Sequence, residues 1–371
     1  MRKPELTHVA GTFLIQADGS FLNGAGLGEG DDRNTTIPKT FRDGRDRVPY
    51  VSAQAWKRWL RNTLIEETGW PASELRAIAT NQKGASSKIA GELDPVHYPE
   101  DDIFGYMRAE KGPSRKKGGD EDNEGEDEEK TAGGKVKSVM RASPFAASLL
   151  VSLRHTGWQG RDEGFVHLKE GTPLPYTTEF YNTNLQAVFC LNYARLGVFA
   201  NIGDRIELDE SIAKSCLTEG SILDKGRTEG ESKATGTIYV LKDAAVKRKE
   251  RAIAIFNALS VLRGGAKQAA FGTDVAPKVL VIAGLTCGNP IFNHLFRDMS
   301  GKVSMDVVAF REIIKDYADR IVTPVLIGMR AGYLENEQEV AALAHEEFPN
   351  VVKVEVMTPI DAGRRIGAEL P

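Results

Sequence analysis

Cysteine is scarce: Cys190, Cys216 and Cys287 are the whole supply in 371 residues. None lies in a Cys-x-x-Cys pair, which excludes a disulfide framework and the common zinc signatures. The six histidines (His8, His97, His155, His167, His294 and His345) hold no i, i+4 pair and no His-Glu-x-x-His. No metal ligand and no cofactor is therefore expected. Long apolar runs are missing too, and the longest, around Val279 to Leu285, is far short of a membrane span. Met1 to Ile15 is broken by Pro4, Glu5 and His8 and does not read as a signal peptide. These absences predict a soluble, cytoplasmic protein with no membrane partner.

Catalytic signatures are equally thin. The run Gly24-Ala25-Gly26-Leu27-Gly28-Glu29-Gly30 has neither the Walker nor the dinucleotide spacing, so it is expected to be a flexible loop. No Gly-x-Ser-x-Gly occurs, and no cysteine sits in a nucleophile signature. Asp274, Asp298 and Asp306 could bind magnesium in principle, but their separation gives no positive reason for it. No catalytic residue is expected, and the chain does not read as an enzyme.

What is present is an uneven distribution of charge. The formal balance is 48 basic against 52 acidic residues, or −4. One segment, 120–130, supplies eight acids and one lysine; without it the rest of the chain carries +3. With Gly118-Gly119 before it and Gly133-Gly134 after it, 112–135 reads as a solvated loop. From Arg33 to Arg61, eight basic residues face two acidic ones. Such a concentration is what binding to a polyanion draws on.

The periodicity predicts an α+β fold. Strands are expected at 9–15, 145–153, 184–193 and 279–285, and helices at 53–67 and 246–262. Ser52 is the expected N-cap of the first helix, and Gly69 with Pro71 its end. This is the β-α-β-β-α-β order of a ferredoxin-like or RRM core. The expected organisation is a discontinuous palm-like core of 1–67 and 145–290, with 68–144 inserted. An elongated hairpin at 155–183 carries turn residues and aromatics. A C-terminal extension over 291–371 is expected to hold helices at 305–319 and 336–346 and strands at 321–329 and 351–357.

Two clusters carry the binding chemistry. Gln54, Lys57 and Arg61 recur at i, i+3, i+7 and line one face of the first helix, with Arg58 beside them. Ser52 and the helix N-terminus add backbone donors at the same end. Backbone donors, an amide and cations make a phosphate-tracking surface, although a merely solvated basic face has the same pattern. The second cluster is Arg263-Gly264-Gly265-Ala266-Lys267-Gln268. One glycine would cap the preceding helix; the second lets backbone approach a ligand, and Arg263, Lys267 and Gln268 can donate to phosphate or ribose. The aromatic motif of ordinary RRMs is absent, Gly164-Phe165-Val166 being a fragment outside the expected sheet. RNA would then be followed along its backbone.

Three stretches carry a specific resemblance. Val48-Pro49-Tyr50-Val51-Ser52-Ala53-Gln54-Ala55-Trp56-Lys57-Arg58-Trp59 resembles the helix entry of the backbone subunits of type I CRISPR Cascade complexes. So does Gly264-Gly265-Ala266-Lys267-Gln268 with Thr273-Asp274-Val275, and so does Pro173-Leu174-Pro175-Tyr176-Thr177-Thr178-Glu179-Phe180-Tyr181-Asn182-Thr183-Asn184-Leu185-Gln186. The three stand in the family's order, and the chain is most similar to the DevR-like, type I-B-like branch of the RAMP superfamily. The resemblance implies a subunit that polymerises along CRISPR RNA and holds its guide for pairing with target DNA, sequence being read by that pairing. It implies contacts from Ser52, Gln54, Lys57, Arg58, Arg61, Arg263, Gly264, Gly265, Lys267 and Gln268. It also implies a thumb at 155–183 that kinks the RNA, with His155, Trp158, Tyr176, Phe180 and Tyr181 as wedge candidates. The implied partners are further copies of the chain and the 5′-handle-binding, large and small subunits. The alternative is a metal-dependent RNA-cleaving backbone subunit of a type III-like effector. A third reading is a general interaction protein whose basic helix only faces solvent.

Overall fold

The computed structural model describes residues 5–28, 34–74, 76–78, 88–108, 138–166, 169–172, 174–229, 235–299 and 301–371. The expected acidic loop at 112–135 lies outside the described residues, as do Gly30 and Pro173 of the motifs above. The chain divides into two units: 1–71 with 144–196 and 245–371, and 72–143 with 197–244.

The first unit is built on the long strand His8–Ser20, which pairs antiparallel with Val279–Leu285 on one side and with Leu174–Asn192 on the other. Leu174–Asn192 pairs in turn with Phe145–Ala147 and Leu150–Ser152. Counting these four core strands in chain order, the sheet reads fourth, first, third, second, with helices Ala53–Thr68 and Ala244–Ser260 in the two crossovers. That is the ferredoxin-like, RRM-type α+β core. The strand expected as one piece at 145–153 is two. Ala147 pairs with Phe189 and Ser152 with Leu185, so the second core strand carries one extra residue across Ser148–Leu149, a β-bulge. The carbonyl of Ser148, turned out of the ladder, accepts the Trp56 indole N–H at 2.8 Å.

Alternation along the first strand gives the sheet two faces. Phe13 packs against Trp56, and Phe189 against Phe256, which places both helices on one face. Ala10, Leu14, Val279, Val281 and Ala283 point to the other face, where Phe292, Leu295, Val303, Phe310 and Ile314 of the extension cover them. The extension is thus part of the core. Its strands Val325–Met329 and Val354–Met357 widen the sheet beyond Val279–Leu285. Its helices run 307–316 and 337–342, shorter than expected. A further helix, Pro359–Glu369, joins the helical face through small residues: a Cβ on Gly363 or Gly367 would meet Ser260 or Ile253 of the neighbouring helix. The flexible loop expected at 24–30 is corrected for its first half, because Gly24–Leu27 is a strand paired with Thr35–Pro38.

The second unit has its own six-stranded sheet and a helix, Glu210–Glu219, over a core of Phe199, Leu208, Ala213, Cys216, Ile222 and Leu241. The inserted region expected at 68–144 therefore also takes 197–244 out of the palm. Buried charge explains the coupling of these two stretches. Arg141, with no side-chain exposure, ion-pairs with Asp102 and, at 3.3 Å, with Glu207, and it donates to the Val198 carbonyl at 2.9 Å. Its guanidinium lies 4.6 Å from the Phe199 ring centre, and the second oxygen of Asp102 accepts the Gly197 N–H at 2.9 Å. Among the described residues, no helix is long and apolar enough to cross a membrane.

Candidate nucleic-acid interface

The first helix begins as its sequence requires. Ser52 is extended and its hydroxyl accepts the Ala55 N–H, while Gly69 closes the helix in a left-handed cap with φ 67°. Trp56, Leu60, Thr63 and Leu64 are buried against the sheet. Gln54 and Arg58 are exposed; Lys57 and Arg61 are half-buried. Burial of the Lys57 ammonium pulls its pKa down to about 8 from 10.5. Between those two values the unfolded chain holds the extra proton, so this group makes folding stability rise with pH across that window.

The glycine loop, some two hundred positions away in sequence, is fastened to this helix. The Thr63 hydroxyl accepts the Arg263 N–H at 3.1 Å and lies 3.3 Å from the Arg263 carbonyl. Gly264, at φ 147°, lies so close to the Trp59 indole that a Cβ there would overlap the ring, and a Cβ on Gly265, at φ 107°, would strike Leu22. Both glycines thus have a packing reason as well as a backbone one. Gln268 turns inward and donates to the Gly264 carbonyl, bracing the loop. Arg263 is spoken for: its guanidinium pairs with Glu67 at 2.7 Å and Glu66 at 3.0 Å, and the Glu67 hydrogen bond leads in holding it firmly protonated.

At 100° per residue, Lys57 and Arg61 sit about 120–160° around the helix from Trp59 and Thr63, which touch the loop. The two predicted clusters flank the helix rather than share one side of it. Arg58 and Asn62, both exposed, lie on the surface between them.

Where the clusters converge is the segment Phe21-Leu22-Asn23, which no sequence signal singles out. The Asn23 side-chain oxygen accepts the Ser52 N–H at 3.1 Å. The Leu22 carbonyl accepts the Ala266 N–H at 2.9 Å, and the Leu22 N–H donates to the Tyr181 hydroxyl at 2.9 Å. The Lys267 ammonium lies 4.9 Å from the centre of the Phe21 ring and donates to the Thr178 hydroxyl at 2.9 Å. Helix start, glycine loop and hairpin base meet on these three residues.

The expected hairpin is present as Gln159–Val166 paired with Leu174–Asn192. Gly160 faces Phe180 and Gly164 faces Tyr176, and each ring lies across its glycine, leaving no room for a Cβ. The wedge candidates divide. Trp158 and Tyr181 are corrected: at 2% and 0% exposure they are core residues. Trp158 donates to the Arg47 carbonyl at 2.6 Å, beside the Arg47–Glu179 ion pair, and Tyr181 holds Leu22. Phe180 is half-buried against Phe271, their ring centres 5.8 Å apart. His155 is exposed, 3.2 Å from Asp43, and Tyr176 is 41% exposed. The most exposed aromatic of the hairpin is Phe165, at 63%, with Val166 and Leu174 beside it. Only its place one pair from the end of the ladder, Val166–Leu174, marks it.

No family model matches the chain, and no curated protein does. Two solved structures are similar over nearly its whole length. One, described as a "CRISPR RNA-guided surveillance complex, pre-nicking", has a chain 12% identical, with 98% of this chain and 100% of that one covered at a TM-score of 0.48. Another, described as a "CRISPR RNA-guided surveillance complex", gives 14% identity, 98% and 99% coverage and a TM-score of 0.46. A "Type IV-B CRISPR Complex" chain is 14% identical, with 64% of this chain and 91% of that one covered at a TM-score of 0.25.

Proposed function

We propose that this chain is a non-catalytic backbone subunit of a type I CRISPR effector. It binds CRISPR RNA, assembles with further copies of itself and with the 5′-handle-binding, large and small subunits, and presents the guide to target DNA. The observation that carries this reading is the meeting of the three motif regions on Phe21-Leu22-Asn23. Residues far apart in sequence are thereby tied together, with Gln54, Lys57, Arg58 and Arg61 on the helix that Ser52 starts and Lys267 at the hairpin base. The second sheet face supports backbone tracking over base stacking, since the extension covers much of it where an ordinary RRM would stack bases. Base contact falls to the hairpin, where Phe165 and Tyr176 have exposed rings to insert.

The low pKa of Lys57 gives the reading a pH signature. Phosphate favours the charged ammonium, so RNA binding should weaken by up to about tenfold as pH rises from 7 to 9 through that value. Arginine stays charged throughout. The Lys57→Arg variant should bind RNA with a flat profile over this range; an equally steep fall in the variant counts against Lys57 as a contact.

Absence of catalysis belongs to the same proposal. Four carboxylates beside the motifs are engaged by cations: Glu66 and Glu67 with Arg263, Glu179 with Arg47, and Asp274 with Lys278 at 2.7 Å. Guide-complementary RNA incubated with the assembled complex and magnesium should stay intact. Cutting that an Asp→Ala variant abolishes would move the chain to the RNA-cleaving reading.

A further inference from the structure

A cluster in the second unit belongs to none of the three motif regions. The turn Asp94-Pro95-Val96-His97 faces the last turn of the helix Glu210–Glu219. Asp94, His97 and Cys216 offer an oxygen, a nitrogen and a sulfur that all lie within 4.8 Å of one another. The Asp94 carboxylate is 2.6 Å from His97 Nδ1, and Glu219 is 3.2 Å from Nε2 on the other side of the ring. The Asp94 carboxylate also accepts the Val96 and His97 N–H groups at 3.0 and 3.1 Å, which fixes the turn.

An imidazole held between two carboxylates would account for His97. It does not account for Cys216. Fully buried in the apolar core of the unit, that thiol still brings its sulfur within 4.8 Å of the ligand atoms of Asp94 and His97. Cys216 and Glu219 lie in the final turn of their helix, where the backbone dipole adds negative potential. An oxygen, a nitrogen and a sulfur donor gathered at a negative helix end form a cation site of borderline softness.

We propose that Asp94, His97 and Cys216 bind one zinc ion, with Glu219 holding the imidazole from outside. His97 coordinates through Nδ1 and keeps its proton on Nε2, donated to Glu219, the outer carboxylate that orients a ligating histidine. On binding, the Cys216 thiol proton leaves to solvent, as does one proton of the imidazole wherever it was doubly protonated. Thiolate and carboxylate then balance the dication, and a water completes the four ligands. The ion clips the 94–97 turn to the 210–219 helix.

The test uses the full chain, stripped with chelator and titrated with zinc or with cobalt as its spectroscopic stand-in. The expected result is one zinc per chain and, with cobalt, a thiolate-to-metal charge-transfer band that Cys216→Ser abolishes. Because Cys216 is buried, His97→Gln is the second variant: its side chain is half exposed, so the fold should survive the change. It should lose at least about a hundredfold in zinc affinity and lose the zinc-dependent rise in melting temperature. Cobalt binding without the thiolate band, or equal zinc retention by the wild type and His97→Gln, would overturn the site.

Discussion

Replacing Lys57, Arg61 and Lys267 together with alanine is expected to weaken RNA binding by roughly a hundredfold at moderate salt, taking about 1 kcal/mol for each lost contact. On single-stranded nucleic acid each neutralised phosphate contributes about 0.7 to the slope of log affinity against log salt. Removing three contacts should flatten that slope by about 2. The geometry makes the expectation selective. Arg263 carries the same charge in the same loop, but its guanidinium is tied to Glu66 and Glu67. Arg263→Ala should leave the slope nearly unchanged and lower stability slightly instead. A filter-binding titration across salt concentrations separates the two outcomes. If the triple variant and Arg263→Ala behave alike, the cations of the helix and hairpin base are not phosphate ligands.

The second large effect concerns the unit that combines 72–143 with 197–244. Arg141→Met is expected to destabilise that unit by about 3–5 kcal/mol, because Asp102 would stay buried without its guanidinium, while Glu207 keeps its ion pair with Arg205 at 2.6 Å. Asp102 is fully buried and Glu207 is 1% exposed, so water cannot take the place of Arg141. Denaturant unfolding would read the loss, and hydrogen exchange should place it in 139–141 and 197–208. Combining Arg141→Met with Asp102→Asn should cost less than the sum of the single changes, since the second removes the charge that the first strands. A loss below about 1 kcal/mol would show that the buried network does not hold the unit.

The core was legible in the sequence because its elements obey simple periods. The run Val279–Leu285 and the stripe of Trp56, Leu60, Thr63 and Leu64 gave a strand and a helix at their observed places. Ser52 and Gly69 bounded that helix by local backbone chemistry alone. The excursion 197–244 was not legible, because its attachment to 72–143 runs through long-range contacts that have no period, among them the buried Arg141, the Arg108–Asp209 ion pair and the pairing of Val139 with Ile206. Nor was Pro359–Glu369, whose packing depends on Gly363 and Gly367 fitting against Ser260 and Ile253. At the interface the charges and glycines were readable, whereas their meeting point, Phe21-Leu22-Asn23, works through backbone groups and one amide that composition does not distinguish. Trp158 and Tyr181 show the converse. Their side chains suit base stacking equally well in a core or on a surface, and only burial decides. The Asp94, His97 and Cys216 cluster was hidden by distance: its only trace is the spacing Asp-x-x-His in one region and Cys-x-x-Glu in another.

The central claim is that this chain holds an RNA guide, and the RNA content of the purified protein tests it most directly. Isolated from cells that carry a CRISPR array, the chain should show an absorbance ratio at 260 to 280 nm typical of a ribonucleoprotein. Sequencing of the bound RNA should return array-derived guides, with yield falling in the Lys57, Arg61 and Lys267 triple variant. A protein-like ratio with no recoverable RNA, or RNA of random origin retained equally by the triple variant, would contradict the account.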